Sequence, residues 1–335
     1  MLHIQRKYVI FIVYYKKRKV FIVKNPRIIK SLAVIISVML ISAVLLASCS
    51  FGDEKVRYNV NDTLPEGEGK QARIVLLGGQ SNASGCSRDD YLEMNVSKEK
   101  YEEYKNGYDN VYINYLSGAK MSGGFVKCAT LQGEMDKCFG PELGLAEKLS
   151  ELYPNETIFI IKCAWGGTNL FEQWLSPSSW GKTGDLYNKF IGFVHSSIDY
   201  LESKKYNIKI EAMCWMQGES DSFSVDDAED YEKHLNNFIK DIRKEFEDYA
   251  SNNGIAFVDA YIADNPAYWV YCDLVNASKK AVADSSSINV VVDTLSHGLS
   301  CSAEPYDNPD LAHYDSMSQI KLGHLFAEEV IKFFD

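Results

Sequence analysis

The sequence predicts an α/β domain, a single three-layer unit in which a parallel sheet is flanked by helices, over residues 71–335. Its strand-like runs are continuously apolar, as in strands that are buried on both faces, and they do not alternate between apolar and polar residues. These runs alternate with longer segments of helical periodicity, the order that builds a parallel sheet covered by helices. No repeat or change of pattern marks a second domain within these residues.

The individual elements follow from the apolar runs and from the helical periodicity between them. Six strands are predicted, at Arg73–Gly79, Val111–Leu116, Thr157–Cys163, Ile208–Trp215, Ile255–Ala260 and Ile288–Asp293. Five helices are predicted, at Pro141–Leu152, Leu186–Lys204, Asp227–Ser251, Tyr268–Ala283 and Ser316–Phe334. The first helix is expected to begin at Pro141, because a proline in the first turn has no N–H to leave unsatisfied.

The first 48 residues are predicted to be an export signal and not part of the fold. A basic stretch precedes the uncharged apolar run Leu32–Ala47, which continues into Ser48 and Cys49. This ending resembles the lipobox of bacterial lipoproteins, which implies a lipid on Cys49 and an exported lipoprotein held at the extracytoplasmic side of a membrane. A plain membrane anchor is the alternative, because the run is near the lower length limit for spanning a bilayer. Residues 49–70, which are polar and acidic, are expected to form a tether.

The charge of the chain limits its partners. Residues 1–48 hold nine of the 35 basic residues and no acid, so the rest of the chain has 26 basic residues against 46 acidic ones and a net charge of −20. Contacts between so acidic a surface and phosphate groups are repulsive, which excludes nucleic acid as a partner. Nothing in the sequence indicates an oligomeric state.

Seven cysteines follow Cys49, an odd number that leaves at least one of them unpaired. Their spacing matches neither a zinc site nor a redox motif. Export permits disulfides, and Cys128 and Cys138, which flank a short loop, are the pair most expected to be bridged, although the sequence alone does not fix the pairing.

The residues that follow each strand are the candidates for a site, because ligands of parallel sheets bind at the carboxyl ends of the strands. The first strand runs into Gly79-Gln80-Ser81-Asn82. A serine there projects above the sheet with its own N–H directed at whatever its oxygen attacks, whereas a helix N-cap is the alternative role. The segment is not the G-x-S-x-G elbow of other hydrolases, because Ala83 stands where the last glycine would be.

Two more strand ends carry N–H groups that can bind a ligand. One is Gly166-Gly167-Thr168, whose glycines let backbone N–H groups approach a ligand, although a tight turn explains them equally. The other begins with Gln217, a neutral N–H donor that can meet a developing oxyanion without titrating. Glu219 and Asp221 follow it, and they are alternatively explained as acids at the start of the next helix.

A histidine suited to act as a base lies before the last helix, in Asp310-Leu311-Ala312-His313. A spacing of three residues lets a carboxylate and an imidazole meet on one side of a turn. The aspartate then holds Nδ1–H and leaves Nε2 free to take the proton of a serine. Of the six histidines, only His313 combines an acid at this spacing with a loop position at a helix entrance.

Together and in this order, these segments resemble the SGNH hydrolases, and within them the carbohydrate esterase family 6 and sialate O-acetylesterase-like group. The resemblance covers about residues 72–330 and is carried by Gly79-Gln80-Ser81-Asn82, Phe139-Gly140-Pro141-Glu142, Gly166-Gly167-Thr168, Trp215-Met216-Gln217-Gly218-Glu219-Ser220-Asp221 and Asp310…His313. It implies a serine esterase that removes acetyl groups from carbohydrate, of the acetylxylan or sialic acid type, without a metal or cofactor.

The resemblance also implies roles for single residues. Ser81 would be the nucleophile, His313 the base and Asp310 the residue that orients it. Some members of the group use the glutamate of the Gln-Gly-Glu motif for that last role, so Glu219 competes with Asp310. We favour Asp310, because its spacing to His313 requires no tertiary contact.

The oxyanion hole implied by the resemblance consists of the N–H groups of Ser81 and Gly167 and the side chain of Gln217. Five further residues are expected to contact the substrate, namely Gln80, Asn82, Glu142, Thr168 and Trp174. Trp174 lies in an aromatic-rich loop whose rings either stack on sugars or pack on one another. Lys162, just inside a strand end, is expected to form an ion pair and not to act in catalysis.

Two rival functions remain open at the level of sequence. One is a general lipid or aryl esterase of the same superfamily, which would differ in the acyl chain that it prefers. The other is a surface lipoprotein that binds glycans without turnover.

Overall fold

The computed structural model describes residues 56–334, so the predicted signal sequence and Cys49 lie outside the described residues. These described residues form one compact unit. Within the described range, no helix is long and apolar enough to cross a membrane.

The described residues form ten strands, numbered here in chain order. Six of them are mutually parallel, β1 (Gln71–Gly79), β3 (Val111–Ser117), β7 (Ile158–Ala164), β8 (Asn207–Met216), β9 (Ala256–Ala260) and β10 (Asn289–Val292). The short strands β4 (Lys120–Met121) and β5 (Val126–Lys127) pair antiparallel with β3, and β2 (Ser87–Arg88) pairs with β6 (Cys138–Phe139) in a separate ribbon.

The order of the parallel strands is β3–β7–β1–β8–β9–β10. The chain therefore builds the sheet first on one side of β1 and then, from β8 onward, on the other side. Such a reversal opens a crevice at the carboxyl ends of the strands, which is where ligands bind in sheets of this type. The segments that follow β1, β7 and β8 all meet at this crevice.

Helices flank the sheet, as the alternating pattern of the sequence predicts. They are α1 (Ser81–Ser84), α2 (Asp89–Asn95), α3 (Lys98–Asn106), α4 (Glu142–Leu152), α5 (Asp185–Ser203), α6 (Val225–Glu245), α7 (Cys272–Asp284) and α8 (Ser316–Val330). Helices α4 and α8 pack against each other, and α5 packs on β7 and β8. Residues Ala72–Gly79 of β1 and all of β7 are buried, which confirms that these apolar runs are covered on both faces.

All six predicted strands and all five predicted helices are present, with shifts at their ends. Helix α4 begins at Glu142, directly after Pro141, whose φ of −68° already suits a helix. Helix α6 ends at Glu245 and not at Ser251, because Ala250 forms a β-bridge with Ile210 of β8 and the chain must leave the helix to reach it.

The described part of the expected tether, residues 56–70, is not a free linker. The hydroxyl of Tyr200 on α5 accepts hydrogen bonds from the N–H groups of Thr63 and Leu64, each at 2.9 Å. Leu64 is buried in the core. The polar composition that indicates a linker is thus compatible with docking, because the backbone N–H groups find acceptors on a neighbouring helix.

The expected Cys128–Cys138 bridge is absent, and all seven described cysteines are free thiols. Cys128 is fully buried, and its Sγ donates to the carbonyl oxygen of Glu142 at 3.4 Å. It behaves as a small buried apolar residue with a weak donor, as free cysteines commonly do.

Candidate active site

Ser81 lies where β1 ends and α1 begins. Gly79, the last residue of β1, has a φ of +136°, and a Cβ there would lie 2.0 Å from the carbonyl oxygen of Met216, so this close approach requires glycine. Gln80, and not Ser81, occupies the N-cap position of α1, and no side-chain hydrogen bond caps this helix. The Ser81 hydroxyl, which has no hydrogen-bond partner among the described residues, is therefore available for chemistry.

His313 and Asp310 form a hydrogen-bonded pair in the turn before α8. His313 Nδ1 lies 2.6 Å from Asp310 Oδ2, and the other carboxylate oxygen accepts the N–H of Ala312 at 3.1 Å. The turn is closed by a bond from the His313 N–H to the Asp310 carbonyl at 3.3 Å. With Nδ1 engaged in this way, Nε2 is the nitrogen left to exchange a proton with a reacting group.

Asn82 joins the serine segment to the histidine segment. Its Nδ2 donates to the carbonyl of Ala312 at 3.2 Å, and its Oδ1 accepts the N–H of Tyr314 at 3.1 Å. These two residues flank His313 in the chain. The residue after the candidate nucleophile therefore fixes the backbone on both sides of the candidate base.

Glu219 lies beside this clamp without a bond to His313. Its Oε1 accepts from Asn82 Nδ2 at 2.8 Å, whereas Oε2 is buried without a hydrogen-bond partner in the described structure. Burial raises the pKa of Glu219, which is 1% exposed. Of the two acids that compete for His313 in the sequence, Asp310 is the one in contact with the imidazole.

Two of the three expected oxyanion donors are free. Neither the N–H of Ser81 nor that of Gly167 has an acceptor among residues 56–334. Gly167 has a φ of +68°, and no atom lies within 4 Å of the place where a Cβ would stand, so open space surrounds this turn. Two unpaired N–H groups at neighbouring strand ends are suited to bind one developing negative charge.

Gln217, the third expected donor, is occupied and fully buried. Its Nε2 lies 3.2 Å from Gln80 Oε1, 3.1 Å from the Thr168 carbonyl and in close contact with Asp221 Oδ2. Two N–H bonds thus face three acceptors, and none is left over for a substrate. In this structure the amide of Gln217 ties the loops after β1, β7 and β8 to one another.

Asp221 completes this link between loops. The Leu170 N–H donates to both of its carboxylate oxygens, at 2.9 and 3.2 Å. Burial raises the pKa of Asp221 to about 7, although its hydrogen-bond donors oppose the shift. No lysine, arginine or histidine of residues 56–334 forms an ion pair with this buried acid. Asp221 also begins a short helical turn, Asp221–Phe223, in agreement with the alternative explanation of its position.

Glu134 is a functional candidate that the sequence analysis missed. Its Oε2 accepts from Ser84 Oγ of α1 at 2.5 Å and from the Gly166 N–H at 2.9 Å. It therefore fixes the helix that begins with Ser81 against the glycine turn that carries the second oxyanion donor. It stands in a loop without periodicity and far along the chain from both partners, so no local signal marks it.

Lys162 forms the expected ion pair, and its partner is Glu142. Lys162 Nζ lies 2.7 Å from Glu142 Oε2 with both side chains fully buried, and it also donates to the carbonyl of Ser84 at 2.9 Å. The other oxygen of Glu142 accepts the Gly140 N–H at 2.9 Å. Glu142 therefore holds Lys162 where it binds the end of α1. Because its side chain is fully buried, it offers no surface to a substrate.

The five residues expected to contact the substrate are all buried, so direct contact is not their role in this structure. They are Gln80 at 2% exposure, Asn82 at 2%, Glu142 at 0%, Thr168 at 7% and Trp174 at 0%. The cause for Gln80 is that its Oε1 accepts from the N–H groups of Gly218 and Ser220, at 3.4 and 3.2 Å, and so shapes the loop after β8.

Trp174 is a core residue and not a platform for sugars. Its Nε1 donates to Thr168 Oγ1 at 2.9 Å, and its ring meets that of Trp215 edge to face with centroids 5.2 Å apart. The same loop leaves Trp180 90% exposed. Trp174 therefore packs on rings of the core and not on those of its own loop, so neither of the two interpretations describes this residue.

A cleft of about 490 Å³ opens beside the histidine. This cleft, called cleft A below, is lined by Arg88, Tyr268, Glu304, Asp310, Leu311 and His313, among others. Its size is that of a small-molecule site. In the part of the chain that the structure describes, no group of three or more His, Cys, Asp or Glu side chains is placed to hold a metal ion.

A family model described as carbohydrate esterase, sialic acid-specific acetylesterase, matches residues 71–332. A protein of Arabidopsis thaliana named as a probable carbohydrate esterase is 29% identical over 106 residues. That match covers 31% of this chain and 36% of the Arabidopsis protein, so the chain spans about a third of the length of this curated relative.

Solved structures share the fold. The crystal structure of the same Arabidopsis protein has a TM-score of 0.57 at 20% identity, over 78% of this chain and 99% of that chain. NanS has a TM-score of 0.57 at 15% identity, over 81% and 99%. A carbohydrate acetylesterase from Xanthomonas citri has a TM-score of 0.53 at 16% identity, over 78% and 56%.

We expect Glu134→Ala to lower kcat for a small acetyl ester by about tenfold to a hundredfold, because one charged acceptor that fixes two parts of the site is lost. Steady-state kinetics measure the effect, and Glu172→Ala, a glutamate of the neighbouring loop, is the control. An unchanged kcat in a folded Glu134→Ala variant would contradict the positioning role.

The buried acid predicts a pH dependence of stability. The pKa of Asp221 rises from 3.8 to about 7 on folding, so between these values the folded state keeps a proton that the unfolded state releases. Raising the pH therefore lowers the free energy of unfolding, by up to about 1.4 kcal/mol per unit, until the loss levels off above pH 7. The Asp221→Asn variant lacks this titrating group. As the pH rises from 3.8 to about 7, its melting temperature should therefore increase relative to that of the wild type. Asp226→Asn, at an exposed position, is the control, and a difference that does not depend on pH would refute the assignment.

Proposed function

Because the chain belongs to the carbohydrate esterase family of sialic acid-specific acetylesterases, and is thus a carbohydrate O-acetylesterase, we propose that it removes O-acetyl groups through an acetyl-serine intermediate on Ser81. The acetylated carbohydrate is of the acetylxylan or sialic acid type. The observation that carries the proposal is the clamp by which Asn82, next to Ser81, holds the backbone around the His313–Asp310 pair.

Acylation comes first in the proposed mechanism. Ser81 Oγ attacks the acetyl carbonyl carbon while its proton passes to His313 Nε2, and Asp310 stabilises the resulting imidazolium. The carbonyl oxygen becomes an oxyanion that accepts the N–H groups of Ser81 and Gly167. A donor of this kind contributes about 3 kcal/mol to the transition state. The intermediate then expels the sugar oxygen, which takes the proton from His313 and leaves as a hydroxyl.

Deacylation repeats the same steps with water. His313 Nε2 takes a proton from a water molecule as its oxygen attacks the acetyl-serine carbonyl. The second tetrahedral intermediate uses the same two N–H groups. Its collapse returns the proton to Ser81 Oγ and releases acetate, so every group returns to its initial state without a cofactor.

Three variants test these roles. We expect Ser81→Ala to release no acetate from acetylated xylan, and Asp310→Asn to lower kcat by about 10⁴-fold, as for the loss of a residue that orients a catalytic histidine. Glu219→Gln keeps an acceptor for Asn82 and should change kcat far less. Acetate release by folded protein measures all three.

The outcomes separate the alternatives. A 10⁴-fold loss only in Glu219→Gln would transfer the orienting role to Glu219, and equal release by wild type and Ser81→Ala would remove the serine assignment. Faster hydrolysis of long-chain aryl esters than of acetates would favour a general lipid or aryl esterase. Glycan binding without any turnover would favour a binding protein.

We also propose that the enzyme works outside the cytoplasm, anchored by a lipid on Cys49. Two features before Cys49 support this proposal: the uncharged apolar run Leu32–Ala47, and the basic stretch that precedes it without any acid. Mass spectrometry of protein from the membrane fraction should find a diacylglycerol on Cys49, and Cys49→Ala should abolish it. A mature chain that retains its unmodified amino end would refute the anchor.

A further inference from the structure

We propose that the substrate is a neutral acetylated oligosaccharide that spans two clefts, one on each side of Leu311; this rests on the proposed function and specifies its substrate. His313 and Asp310 line cleft A, whereas Ser81 and Gly167 do not, so the sugar unit lies in cleft A with its acetyl group directed past His313 toward Ser81. The second cleft lies beyond Leu311 and receives the next part of the chain.

The second cleft, cleft B, has a volume of about 340 Å³. Its walls are Ala263–Asn265, which follow β9, and Leu295 with Leu299–Ser302, which follow β10. It therefore opens at the same carboxyl edge of the sheet as the catalytic groups. Leu311 belongs to the lining of both clefts and is 41% exposed, so a bound chain passes from one cleft to the other over an apolar side chain.

The groups of cleft B suit sugar. Asp264, Asn265, Ser300 and Ser302 supply donors and acceptors for hydroxyl groups. Leu295, which is 41% exposed, and Leu311 supply apolar surface for the C–H faces of a pyranose ring. A small number of polar groups on an apolar wall is the usual composition of a small-molecule site.

The charge of the two clefts favours a neutral chain over a carboxylated sugar. Among residues 56–334, Arg88 is the only lysine or arginine that lines either cleft, and it is already bound to Asp90 through two bonds of 2.5 and 3.0 Å. The other charged residues along the path are the acids Asp264, Glu304 and Asp310. A sugar carboxylate would meet repulsion here and would have to displace Asp90 to gain a cation.

The test compares three substrates with the mature wild-type chain, namely acetylated xylo-oligosaccharides, acetylated xylose and an O-acetylated sialic acid, with nitrophenyl acetate as the reference. We expect kcat/KM for the oligosaccharides to exceed that for acetylated xylose by at least about tenfold, and the sialic acid to be the poorest sugar. Equal values for oligosaccharide and monosaccharide, or a preference for the sialic acid, would overturn the inference.

A substitution in cleft B locates the effect. Asp264→Ala should lower kcat/KM for the oligosaccharides by about tenfold through KM and leave nitrophenyl acetate within twofold of wild type. Asp185→Ala, at an exposed acid lining an unrelated hollow, is the matched control. An oligosaccharide preference that Asp264→Ala leaves unchanged would overturn the placement in cleft B. Failure of Ser81-dependent release from all four substrates would instead overturn the proposed function.

Discussion

The arrangement of the site depends on the side-chain amide of Asn82. Its oxygen binds the backbone on one side of His313, and its nitrogen binds the backbone on the other side and also Glu219. Only a neutral group with both donor and acceptor can do this, because a carboxylate would face Glu219 and the Ala312 carbonyl without a hydrogen to give. Because both polar atoms of the Asn82 amide are bonded, this buried network specifies one arrangement of the loops that it joins. The amides of Gln80 and Gln217 form a second network, which links the loops after β1, β7 and β8.

Burial divides the acids of the site into two kinds. The side chain of Asp310 is 45% exposed and contacts the imidazole, whereas Glu219 and Asp221 are almost completely buried and burial raises the pKa of each. An acid that stabilises an imidazolium must be ionised when the histidine takes up its proton. Contact with water lowers the free energy of an ionised carboxylate, whereas burial raises it. The buried acids are better suited to hold loops together through N–H donors. In the segment after β8, the sequence alone permits either a structural or a catalytic role for Asp221. The structure gives Asp221 a structural role, because its carboxylate binds Leu170 and Gln217.

The sheet and the positions of Ser81 and His313 were accessible from the sequence because local rules determine them. A strand buried on both faces must be apolar throughout, and a strand end must face the ligand edge. The spacing between Asp310 and His313 is equally local. What the sequence analysis missed depends on distant contacts. Glu134 acts on residues far away in the chain, and Trp174 is covered by core residues that its own loop does not contain. The docking of residues 56–70 depends on a hydroxyl of α5, so polar composition alone misleads there.

The free thiols set the reactivity of the domain toward thiol reagents. None of the seven described cysteines is bridged, so no disulfide holds the described structure together. Six of these thiols are buried, and the seventh, Cys86, is partly accessible in the wall of cleft A. Burial raises its pKa to about 12, which keeps it a poor nucleophile at neutral pH and protects the catalytic edge from accidental alkylation.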